Sequence, residues 1–160
     1  MKIPFLMVAA LLSFVPSMTW AQEVSVGSFS AGAFGHDHSF GWSQDSNLGQ
    51  MVAPFLADEV RNQTKQQLEN VGLALLGDAR QSPEVIVKVD CLITQGDVPG
   101  ALIIELYDAS TKLLLWRAIA HHALSQRYSR QNWQKVDRTV AKMFKDFPYH
   151  VNGWIYADRR

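Results

Sequence analysis

The sequence predicts an α+β fold: a two-layer sandwich whose antiparallel sheet, in β-α-β-β-β-α order, carries two helices on one face. Three observations lead there. Two segments repeat apolar residues at helical spacing, and three consecutive segments alternate at period two. The alternating segments are joined by stretches too short for a crossover, so neighbours must run antiparallel, since parallel pairs need about a dozen connecting residues or more. Two helices with one apolar stripe each fit on one face of such a sheet and leave the other face open.

The first strand is expected within "AFGHDHSFGW", over Phe34 to Trp42, with Phe34, His36, His38 and Phe40 on one face. "SQDSNLGQ" then reads as a polar loop. The first helix spans 52–71, where Val52, Phe55, Leu56, Val60, Leu68 and Val71 form a stripe continued by Thr64. Pro54 suits a first turn, whose N–H groups lack intrahelical partners, and Gly72 suits a left-handed cap. A short extra strand fits Leu73 to Leu76.

"VIVKVDCLIT" sets Val85, Val87, Val89, Cys91 and Ile93 against Lys88, Asp90 and Thr94. After the turn "GDVPG", residues 101–109 place Leu102, Ile104 and Leu106 on one face, and "DASTK" leads into the strand at 113–124. Asp108 suits the start of that turn, because its side chain can bond backbone N–H groups further on. Trp116 then points to the helices and Arg117 away from them. The second helix, 131–147, aligns Trp133, Val136, Val140, Met143, Phe144 and Phe147, with Ser129 as N-cap and Pro148 as its stop.

The N-terminus has the layout of a secretory signal peptide: Lys2, an apolar run from Ile3 to Phe14, a break at Pro16, then Thr19-Trp20-Ala21. Cleavage is expected after Ala21, and the run is shorter than the roughly 20 residues that span a bilayer. The expected organisation is a signal at 1–21, one domain at 22–148 and a tail at 149–160. Gln22 stands where a lipoprotein would carry cysteine, so no lipid anchor is expected, and the protein is expected to be periplasmic rather than an integral membrane protein. The only cysteine, Cys91, lies in an apolar strand pattern and reads as a small buried hydrophobe. Fifteen basic and fifteen acidic residues, scattered along the chain, argue against a nucleic-acid footprint.

Catalytic motifs are missing from the sequence. It holds no G-x-S-x-G elbow, no phosphate-cradling G-x-x-x-x-G-K-[ST] and no paired-carboxylate pattern, and no cofactor is expected. The weak metal candidates are His36 and His38, joined by His121 or His122 from another strand, with Asp37 or Asp90 as carboxylate. Two histidines alone make a loose surface site, since a dedicated centre needs at least three well-placed donors and partners that fix the imidazoles. "HDH" therefore reads first as a strand-edge feature.

Five pieces, "SFGW", "ADEVRNQTKQQLENVGL", "PEVIVKV", "GALIIELYDASTKLLLWRAIA" and "VAKMFKDFP", together resemble the bacterial exported and lipoprotein family catalogued as domain of unknown function 4136. The likeness covers about residues 28 to 148, and the segment with Asp108, Trp116 and Arg117 is its most specific part. It implies a cell-envelope location and the α+β fold, and it carries no catalytic residues. Many members have a lipobox cysteine that this chain lacks. The open sheet face, with Ile103, Tyr107, Arg117, Ile119 and His121, is a mixed apolar and aromatic surface of the kind that marks contacts. The expected function is non-catalytic binding or envelope assembly, through an envelope partner or self-association. A periplasmic metal-binding accessory role is the alternative.

Overall fold

A computed structural model describes residues 23–28, 39–52, 54–76, 81–92, 100–124 and 130–148, the side chains of Ser28, His122, Leu124 and 130–133 excepted. The chain is α+β. Its strands are β1 (Val24–Ser28), β2 (Ser39–Trp42), β3 (Ala74–Leu75), β4 (Val85–Leu92), β5 (Gly100–Asp108) and β6 (Leu114–Leu124). The helices are α1 (Leu48–Met51), α2 (Pro54–Asn70) and α3 (Arg130–Phe144).

All six strands join one sheet in the order β1-β6-β5-β4-β2-β3. The pairs β4–β5, β5–β6 and β1–β6 are antiparallel, as the short connections require. The expectation of a wholly antiparallel sheet is corrected on the other side. There β2 runs parallel to both β4 and β3, so the sheet is mixed. The physical reason is α2, which lies between β2 and β3 and supplies the long crossover that a parallel pair needs. The element order also gains β1, the short strand β3 anticipated near Leu73 to Leu76, and α1, which turns the end of the expected polar loop into one helical turn. The expected strand residues 34–38, Ile93, Thr94 and the "GDVPG" turn as far as Pro99 lie outside the described residues, as do Ser129 and the tail.

Local chemistry explains where the helices stop. Pro54 opens α2 at a position where no backbone donor is needed. At its end Gly72 takes φ 99°. Its N–H donates to the Glu69 carbonyl at 3.0 Å, and the Leu73 N–H donates to the Leu68 carbonyl at 2.9 Å. That bond pair is a Schellman cap, and the usual apolar contact accompanies it: Leu68 and Leu73 are both fully buried. Thr64 stays in the apolar stripe because its hydroxyl donates to the Val60 carbonyl at 2.7 Å, which satisfies it without water. Helix α3 ends three residues before Phe147, which a final turn still brings into the core.

Period-two alternation decides the core. Val85, Val87, Val89 and Cys91 of β4, Leu102, Ile104 and Leu106 of β5, and Trp116, Ala118 and Ala120 of β6 are all buried on one face. Leu48, Leu56, Val60, Leu68, Val136, Val140, Met143 and Phe144 join the same cluster from the helices. Trp116 sits at its centre, with ring centroids 4.9 Å from Phe144 and 5.0 Å from Phe147. The Trp133 side chain lies outside the described residues.

Candidate functional site

Paired residues on adjacent strands point the same way, so the outer face is built in rows. Lys88, Glu105 and Arg117 stand side by side across β4, β5 and β6. Ile86, Tyr107 and Leu114 form the row on one side, and Asp90, Ile103 and Ile119 the row on the other. Glu105 is 6% exposed, unusual for an acid on the sheet face opposite the core. Its partners account for it. The Arg117 Nε donates to Glu105 Oε1 at 2.6 Å, a second guanidinium nitrogen pairs with the same oxygen, and the Tyr107 hydroxyl donates to Oε2 at 2.8 Å.

Lys88 turns to Asp90, with its ammonium 2.8 Å from the carboxylate. The bond to Asp90 raises the Lys88 pKa, with burial opposing and the Asp90, Glu105 and Tyr107 charges adding. Burial, followed by the bond to Glu105, raises that of Tyr107. The bond to Glu105 raises that of Arg117. The row is therefore a polar spine of paired charges beside half-exposed apolar residues, which adds an ordered charge network to the mixed apolar and aromatic surface expected.

The chain after β2 is fastened to the β4 edge. The Asn47 N–H donates to Asp90 Oδ1 at 2.9 Å, and the Cys91 N–H donates to Asn47 Oδ1 at 2.8 Å. The Ser43 N–H donates to the Val87 carbonyl at 2.8 Å, and the Ser46 hydroxyl donates to that of Val89. Gly41 is required by closeness: a Cβ there would sit 2.8 Å from Pro83 Cγ. At the corner thus formed, Trp42, Ser43, Gln44, Asp45, Ile86, Lys88, Tyr107 and Lys112 line an open cleft of about 530 Å³.

The β5–β6 turn closes that corner. Asp108 Oδ1 accepts from the Ser110 N–H at 2.9 Å, the Ser110 hydroxyl at 2.6 Å, the Thr111 N–H at 2.6 Å and the Thr111 hydroxyl at 2.9 Å. Those donors hold the carboxyl at about 2, below its ordinary 3.8. Asp108 has the turn role its position predicts, Trp116 is buried in the core and Arg117 faces the other way.

The candidate metal residues are not brought together in what the structure describes. His36, Asp37 and His38 lie outside the described residues. His121 is exposed on β6, its N–H bonded to the Glu23 carbonyl at 2.9 Å, and of His122 only the strand position is described. Asp90 is engaged by Lys88 and Asn47. Among the described residues no group of three His, Cys, Asp or Glu side chains could hold a metal ion. Cys91 is fully buried, and burial pushes its thiol up to about 11, which makes it a poor nucleophile. The residue missed in the sequence is Glu105. Its signal was a lone acid at an outward position of "GALIIELYD", but its pairing with Arg117 becomes visible only once the register is known.

The family model described as "Domain of unknown function (DUF4136)" matches residues 28–149. No curated protein shows significant similarity to the chain. Among solved structures, the PelC dodecamer from Paraburkholderia phytofirmans aligns with a TM-score of 0.52 at 16% identity, covering 76% of this chain and 94% of that one. A PDZ domain protein from Parabacteroides distasonis aligns with a TM-score of 0.57 at 15% identity, covering 82% of this chain. This chain spans only 36% of that protein's length. At such identities the likeness is one of fold.

Proposed function

Because the chain belongs to the DUF4136 family, we propose that it is an exported cell-envelope protein that acts by non-catalytic binding and assembly, through the outer face of its sheet. In this reading the signal at 1–21 is removed, the protein works in the periplasm, and the fold is a two-layer sandwich with helices on one side only. The observation that carries it is the construction of the outer face. All three helices bury apolar side chains in the inner cluster, while the outer rows hold Ile86, Ile103, Ile119 and Tyr107 half-exposed around an ordered Lys88–Glu105–Arg117 spine. A pre-ordered polar spine flanked by apolar strips costs little further side-chain entropy on contact. The favoured partner is a second copy of the chain. The similarly folded PelC is described as a dodecamer, which is consistent with this reading.

Two measurements test this. Cell fractionation with mass spectrometry should recover, from the periplasm, protein that begins at Gln22; an intact or acylated N-terminus would remove the export reading. Light scattering on the purified protein should report an oligomer that dissociates in an Ile103→Glu, Ile119→Glu double variant of unchanged helicity. A monomer at every concentration, or an oligomer indifferent to those changes, would overturn assembly through this face. The competing metal-binding role predicts stoichiometric metal that survives dialysis and is lost in a His36→Ala, His38→Ala variant.

A further inference from the structure

The corner cleft has a chemistry of its own. We infer that it binds a saccharide, with hydroxyl-rich sugar rings seated on Tyr107 and Ile86. At about 530 Å³ it falls within the range of small-molecule sites, about 300–1,000 Å³. Its apolar part is Ile86 and Tyr107, cross-strand partners in one row, and the Tyr107 ring is held by the hydroxyl bond to Glu105. The lining also holds Lys88, Lys112, Gln44 and Asp45, whose side chains carry donors and acceptors.

Other ligand classes fit less well. A simple anion would meet Asp45, and the Lys88 charge is already compensated by Asp90 at 2.8 Å. A purely apolar ligand would strip water from Lys112 and Asp45, both exposed, and return no bonds. An added peptide strand needs a free backbone edge. Here β2 occupies the β4 edge as far as Val87, whose carbonyl takes the Ser43 N–H. A sugar ring satisfies both halves, its C–H face on the aromatic ring and its hydroxyls bonded to carboxylate, amide and ammonium groups.

The cleft shares Ile86, Lys88 and Tyr107 with the outer face proposed for assembly, but assembly is tested at Ile103 and Ile119, outside the cleft lining, so the two readings fail separately. The test is an NMR titration of the isotopically labelled protein with chitotetraose as neutral probe and tetragalacturonate as acidic probe. The expected result is saturable shifts, from at least one oligosaccharide, concentrated at residues 42–45, 86–88, 107 and 112. Asp45→Ala, a change on an exposed loop, should weaken binding about tenfold, and Tyr107→Ala should do the same or more. The inference is overturned if neither oligosaccharide shifts these residues at millimolar concentration. It is equally overturned if the Asp45→Ala variant binds unchanged, or if acetate reproduces the tetragalacturonate shifts, which would make the cleft an anion pocket.

Discussion

The two faces of strands β4, β5 and β6 are made by alternate residues of the same twenty-odd positions, and they obey different physics. On the inner face Val87, Leu106 and Trp116 stand in one row and are completely buried. One residue along, Lys88, Glu105 and Arg117 form the corresponding outer row. The inner row stabilises through area removed from water and close packing, neither of which involves a titrating group. The outer row works through bonds between charges whose net worth is small, because water competes for them. Stability therefore resides on one side and chemical specificity on the other.

The largest expected effect tests that division directly. Trp116→Ala should lower the unfolding free energy by about 3–5 kcal/mol, read from denaturant midpoints. Trp116→Phe should cost much less, since the indole Nε1 has no hydrogen-bond partner among the described residues. If the two variants were equally damaging, the indole nitrogen would be bonded to a group outside the described residues. Glu105→Ala should cost about 1–2 kcal/mol, because Arg117 and Tyr107 can turn to water once released. A loss as large as that of Trp116→Ala would erase the distinction between the faces.

Acid sharpens the contrast further. The Asp108 carboxyl is held near 2 against an ordinary 3.8, so its contribution is complete above the ordinary value and is lost as the pH falls through about 2. Melting temperatures of wild type and Asp108→Ala should therefore converge between about pH 4 and pH 2. Asp137 runs the other way. Burial, then its bond and charge interaction with Glu59 across the α2–α3 junction, raise its pKa, and its Oδ1 is buried without a partner among the described residues. Its ionised form thus costs stability above the folded-state pKa and nothing below the ordinary value. Asp137→Asn should stabilise slightly at neutral pH, by less than about 1 kcal/mol for a group only partly buried, and the advantage should vanish in acid.

Much of this was legible from local pattern. Helices α2 and α3, the β4–β5–β6 meander and the inward set from Val85 to Trp116 follow from periodicities within about ten residues. The Asp108 turn and the Gly72 cap follow from single-residue chemistry. The parallel placement of β2 did not, because nothing in "SFGW" records which strand lies beside it 45 residues later. Glu105 and the cleft were hidden for a related reason: both depend on cross-strand register, which a single strand does not encode.

The mixed sheet also has a history in time. Its meander seams close short loops, whereas the β2–β4 seam joins segments as far apart as Ser39 and Glu84, with α2 between them. Closing the longer loop costs more chain entropy, and β2 offers only four residues in return. By that argument the β2 seam should form after the β4–β5–β6 meander and open before it, so the corner cleft should be complete only once that step is made. Amide exchange from Phe40 to Trp42 running ahead of exchange in β5 would be the visible trace of this order.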